Sequence, residues 1–114
     1  MTDRQQQELE GWRATIMSDL EGADITAATR ALLALTYDDP DRRGVELVLL
    51  RQLSSLGVDQ QVRALAVTCM GHIGRLHRAV SPDVVRRLEE LLDDPDLGGQ
   101  AEDALGDISA FVAK

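Results

Sequence analysis

Aromatic side chains are almost missing from this chain: Trp12, Tyr37 and Phe111 are the full set. A core has to be assembled from Leu, Val, Ile, Ala and Met. Apart from the valines, these residues suit packed helices better than sheets. The single cysteine, Cys69, cannot make an internal disulfide framework. No apolar run approaches the roughly 18–20 residues needed to cross a bilayer. The segment Met1 to Leu9 is polar and mixed in charge, without the basic start and apolar centre of a secretory signal. These absences predict a cytoplasmic protein with no membrane segment.

The residue patterns of catalysis are also missing. There is no glycine-rich phosphate loop, no Ser-His-Asp set at suggestive positions and no Glu-x-x-His pair. Cys69, His72 and His77 match no usual zinc spacing and lack a fourth ligand, and Cys69 falls on the apolar side of its helix. The expectation is a protein that is not an enzyme and takes no metal or cofactor. A net charge of −8 makes DNA, RNA and anionic lipid poor partners, because the phosphate term is repulsive. It suits a basic partner, or serves only to keep the chain in solution.

At 114 residues the chain is long enough for one domain. Its prolines occur in three similar settings: Asp39-Pro40-Asp41, Ser81-Pro82-Asp83 and Asp94-Pro95-Asp96. A capping residue, a proline at the first helical position and an acid facing the positive dipole end make a helix start. Between these marks, apolar residues recur at helical spacing. Six helices are predicted, at about 2–20, 24–37, 40–56, 59–78, 82–92 and 98–112. The third carries Val45, Leu49, Leu53 and Leu56 on its apolar side, and the fourth carries Val62, Ala66, Cys69, Met70, Ile73 and Leu76. The connections are short, which predicts antiparallel hairpins.

Sliding the sequence by 35 positions reveals a repeat. Leu49 to Leu53 falls on Val84 to Leu88, Leu56 on Leu91, Asp59 on Asp94, Ala66 on Ala101, Met70-Gly71 on Leu105-Gly106, and Ile73 on Ile108. The first two helices follow less well, with Asp24, Ala31 and Leu35 in register and Thr36 at the glycine position. Three units result, roughly 3–37, 40–79 and 81–113, each one helical hairpin that needs neighbours to bury its faces. Asp59 to Ala66, continuing to Met70-Gly71-His72-Ile73, together with Asp94 to Ile108, resembles the HEAT-like family of α-hairpin repeats. That resemblance implies an all-α fold, a short α-α superhelix of about three stacked hairpins. It also implies that the second helices line a concave, partner-binding face. The period is shorter than the roughly 40–47 residues usual for that class.

Function is expected on two surfaces. Opposite the apolar face of the fourth helix lie Ala64, Thr68, Gly71 and Arg75, with His72 beside them. The last helix repeats this line as Gly99, Asp103, Gly106 and Ala110. Small residues there admit another backbone, either a partner's or a neighbouring helix. From Glu89 to Asp107 there are eight acids and no Lys or Arg, an end that can steer a basic protein. The candidate partner-binding residues are Thr68, His72, Arg75, Asp96, Glu102, Asp103 and Asp107. Arg75, Arg78, Arg86 and Arg87 form a small basic group with no aromatics interleaved for base stacking. The leading expectation is a non-catalytic protein-binding module. Small acidic helical-repeat domains resemble bacterial immunity proteins, which implies a basic toxin as partner. The alternatives are a self-assembling structural subunit and a nucleic-acid binder.

Overall fold

The computed structural model describes residues 2–112, and these contain six helices and no strand. They are α1 (Asp3–Glu21), α2 (Ile25–Asp38), α3 (Arg42–Ser54), α4 (Gln60–His77), α5 (Pro82–Leu91) and α6 (Gly98–Phe111). Residue 113, the expected end of the third unit, lies outside the described residues. No described helix is long and apolar enough to cross a membrane.

Side-chain caps set most helix starts. Thr2 and Gln5 form a reciprocal capping box on α1: the Gln5 amide donates to Thr2 Oγ1, and the Thr2 amide donates to Gln5 Oε1. Asp24, Asp41 and Asp59 accept from the amides of Ala27, Gly44 and Gln61, at the starts of α2, α3 and α4.

The prolines behave less uniformly than expected. Pro82 does occupy the first turn of α5, but the Ser81 hydroxyl does not cap it. Pro40 lies outside α3. Arg13 and the Asp41 amide already hold the Asp39 carboxylate, so the capping role passes to Asp41. Asp94 accepts from the amides of Asp96 and Leu97 and so closes one turn ahead of α6.

Consecutive helices pack in pairs, α1 on α2, α3 on α4 and α5 on α6; α2, α4 and α6 also touch in that order, as do α3 and α5. Helix α4 is therefore covered on three sides. Its buried residues are Val62, Ala66, Val67, Cys69, Met70, Gly71, Ile73 and Gly74, an arc of about 200° at 100° per residue. Leu32, Leu49, Met70, Ile73, Leu88 and Leu97 are fully enclosed, each contributing about 1.5–3 kcal/mol by burial.

The α4–α6 approach is closest. A Cβ on Gly71 would stand 3.0 Å from Ala104 Cα, and one on Gly74 would stand 2.9 Å from Ile108 Cγ1. Gly71, expected opposite the apolar face, is thus buried by a neighbouring helix, whereas Gly99 and Gly106 meet nothing within 4 Å.

Two ionic latches tie the helices together. Glu46 of α3, 0% exposed, accepts from Arg42 Nη1 at 2.7 Å, Arg43 Nη1 at 3.0 Å and the Ser81 amide at 3.0 Å, which fastens α3 to the start of α5. Arg43 also grips Asp83 with both nitrogens, at 2.7 and 2.8 Å. Arg13 of α1 holds the buried Asp39 through two contacts of 2.7 Å. Burial pushes the Glu46 carboxyl up, but Ser81, Arg43 and Arg42 outweigh it and hold the group below the usual carboxylate range.

Some expected core residues stay outside. Helix α3 ends at Ser54, and the turn through Gly57, in the left-handed region at φ +80°, throws Leu56 wholly into solvent. Leu76, on the expected apolar side of the fourth helix, is also partly exposed.

Two outcomes test this packing. Gly106→Ala should raise the melting temperature, since alanine is favoured over glycine in a helix by about 1 kcal/mol and nothing obstructs it. Gly71→Ala should lower it, because overpacking against the Ala104 backbone costs about 1–3 kcal/mol. Glu46→Gln should destabilise by about 2 kcal/mol at neutral pH. The folded-state pKa of Glu46 is depressed, so its contribution is complete above the unfolded pKa. It fades as pH falls through the folded value, and urea titrations of wild type and variant should converge in acid.

Candidate protein-binding face

Three helices, α2, α4 and α6, lie side by side and share a face turned away from α3. On α4 that face is Ala64, Thr68, His72 and Arg75, none of them buried. Four side chains, one from α2, two from α4 and one from α6, meet in a row across it. The Tyr37 ring of α2 tilts against the His72 ring of α4, with centroids 5.5 Å apart. The Arg75 guanidinium touches His72 Nδ1 and lies 3.8 Å, from Nε, to Asp107 Oδ2 of α6. Because a guanidinium only donates, the contact makes Nδ1 an acceptor, and the neutral imidazole carries its proton on Nε2. Arg75 Nε is itself buried and without a hydrogen-bond partner among the described residues.

The sequence period explains the row. Tyr37, His72 and Asp107 are separated by 35 residues each, and so are Leu33, Thr68 and Asp103. The spacing sets these six residues in two rungs, one helical turn apart, on α2, α4 and α6, and the contacts above join the first rung. The face is graded along the rungs, from apolar and aromatic on α2 (Leu33 and Tyr37, both exposed) to polar on α4 and acidic on α6. Leu76, 46% exposed, adds apolar surface on α4.

Of the candidate residues, Thr68, His72, Arg75, Asp103 and Asp107 share this face. Glu102 does not. It is exposed but stands about 140° around α6 from Asp107, on the helix's free side. Asp96 is exposed in the turn before α6, away from the rungs. The contribution of α2 was not anticipated; the 35-residue shift, applied to the outward residues as well as the apolar ones, would have found Tyr37 and Leu33.

Three of the four arginines of the basic group have neighbours within the chain, and Arg86 is exposed. Arg75 faces Asp107, Arg87 lies 3.4 Å from Glu90, and the Arg78 guanidinium stands 5.7 Å from the centre of the Phe111 ring. Arg78 ends α4 in the left-handed region at φ 53°. Cys69 is buried, and desolvation pushes its thiol up to about 11, so it carries little thiolate at neutral pH. No group of three or more His, Cys, Asp or Glu is arranged to hold a metal among the described residues.

Partial burial and the Arg75 charge lower the pKa of His72 below its ordinary value, and Asp107 opposes them. A depressed histidine favours the folded state while neutral. Its contribution is present above the unfolded pKa, near 6.5, and is lost as pH falls toward the folded value. Titration of the His72 ring by NMR should show a midpoint below 6.5. Arg75→Gln should raise that midpoint, and Asp107→Asn should lower it further; no response to either change would mean the row does not exist in solution.

No protein-family model, no curated protein and no solved structure matches the chain.

Proposed function

We propose that this chain is a non-catalytic protein-binding module whose three hairpins stack as a short HEAT-like superhelix, and that it holds a basic protein on the α2–α4–α6 face. The observation that carries the reading is the pair of rungs, Tyr37–His72–Asp107 and Leu33–Thr68–Asp103. A partner meets an apolar and aromatic anchor at one side and a carboxylate pair at the other. Tyrosine and arginine are the residue types that concentrate binding energy at interfaces, and carboxylates at the edge speed encounter with a cationic surface.

The excess of acids over bases from Glu89 to Asp107 supports a basic partner, with Glu89, Glu90, Asp93, Asp96 and Glu102 all exposed. The net charge of −8, with Arg75 and Arg87 lying beside Asp107 and Glu90, weighs against a nucleic acid. The sharper form of the proposal is an immunity protein that covers and neutralises a basic toxin. It rests on the resemblance to small acidic repeat domains and on a face with no catalytic set of its own.

The test is capture of partners from source-cell lysate at low and then moderate salt. One basic protein should be retained, with weaker retention as salt rises. Asp103→Lys with Asp107→Lys should reduce affinity by at least tenfold, and Tyr37→Ala by a similar factor, without loss of helical circular dichroism. Toxicity of the captured protein, relieved by co-expression, is expected of the immunity form. Recovery of the chain alone would favour self-assembly, and retained nucleic acid would overturn the reading.

A further inference from the structure

The row on the α2–α4–α6 face is a set of contacts that depends on one proton. His72 is faced by Tyr37 from α2, by Arg75 from its own helix and by Asp107 from α6. Helix α3 packs on the other side of α4, and no charged group of it among the described residues acts on the ring. The neutral ring accepts the Arg75 guanidinium at Nδ1. An imidazolium cannot do so. Both of its nitrogens donate, as every nitrogen of a guanidinium does, and the two groups then carry like charge. A proton on His72 and the Arg75–Nδ1 contact therefore exclude each other.

Each group parted by that proton has a second partner in reach. Arg75 Nε stands 3.8 Å from Asp107 Oδ2, too far for a charge-assisted hydrogen bond, which closes to about 2.7–2.9 Å. While the guanidinium serves His72, Nε has no hydrogen-bond partner among the described residues. Both side chains have room to close the gap, with Arg75 37% and Asp107 43% exposed. On the other side, the Tyr37 ring lies 5.5 Å from the imidazole, within the range at which an aromatic ring attracts a cation. The same four side chains thus have two arrangements, and neither requires a helix to move.

We propose that His72 is a proton-operated switch on this face: the neutral ring holds Arg75 and leaves the Asp107 carboxylate to a partner, and the protonated ring turns to Tyr37 and yields Arg75 to Asp107. Loss of the free carboxylate and gain of an imidazolium charge then act together against a cationic partner. This release rests on the protein-binding reading of the face, whereas the exchange of Arg75 belongs to the chain alone. Partial burial and Arg75 resist the proton and Asp107 invites it, so the switch operates below the ordinary histidine value of about 6.5. Arg75 is held above the midpoint and set free as pH falls through it.

NMR on the full chain reads the exchange. The Arg75 δ-protons should show nuclear Overhauser contacts to the His72 ring well above its midpoint and to the Asp107 β-protons well below it. The change should follow the ring signal of His72 and not that of His77, the other histidine. In His72→Gln, whose side-chain carbonyl accepts from a guanidinium on both sides of that midpoint, Arg75 should keep its contact with the side chain at position 72 throughout. Unchanged Arg75 contacts across a complete His72 titration would overturn the proposal, and so would a change that persists in His72→Gln. Decalysine is the cationic probe for the release. Its affinity should fall severalfold as His72 protonates, and should fall less in His72→Gln, which shares every other titrating group. Equal falls in both chains would overturn the switch. Absence of decalysine binding even above the midpoint would instead sink the basic-partner face and the release with it, while the Arg75 contacts judge the exchange independently.

Discussion

The close approach of α4 to α6 is the constraint on which the rest of the structure depends. Helix α4 has to serve three neighbours at once, and a helix with ordinary side chains all round cannot bring a neighbour's backbone to contact. Gly71 and Gly74, facing Ala104 and Ile108, remove the obstruction. Two glycines inside a helix carry a cost of about 1 kcal/mol each in propensity, which the packed interface offsets. The same approach sets Asp107 beside Arg75, so the polar row on the outer face is a result of how tightly the inner faces meet.

Acidic residues do three different jobs here, and the distinction lies in their surroundings rather than in their number. Asp24, Asp41, Asp59 and Asp94 satisfy free amides where helices or turns begin. Asp39 and Glu46 are buried and neutralised by arginines that reach them from the surface. A buried carboxylate with fixed partners adds modestly to stability but penalises any arrangement that separates them. Glu46 thereby defines how α3 meets the start of α5, and Asp39 defines where α1 lies against the end of α2. The remaining acids, concentrated toward α6, face solvent and give the molecule its field.

Much of the helical layout was legible because apolar spacing and capping chemistry are local. Gln60–His77 and Gly98–Phe111 fall within a residue or two of their expected bounds. Pro40 was misread because the sequence shows a capping residue ahead of a proline and does not show that Arg13, 26 positions earlier, occupies that residue's carboxylate. Leu56 was misread for a related reason: its spacing continues the stripe of α3, but the helix ends two residues before it, at Ser54, and the chain turns away from the core. In the candidate face, Thr68, His72 and Arg75 could be found from one helix. Tyr37 and Leu33 required knowing that α2 lies alongside α4. Glu102 looked equivalent to Asp103 in sequence, yet adjacent residues on a helix point about 100° apart. The buried Glu46 gave no local signal, since an acid on a charged helix start reads as surface.

One asymmetry among the hairpins bears on motion. The α3 and α5 helices are bolted together by Glu46, Arg43 and Asp83, whereas α1 packs chiefly on α2 and is tied to its end by the Arg13–Asp39 contact. Local stability follows the number of neighbours an element can lean on. The outermost helix is therefore the natural leaf of the structure, able to swing on the 22–24 turn while α4 and its partners stay closed. Because one neighbour holds α1 and three hold α4, local opening of the chain is expected to begin at α1 and to reach α4 last.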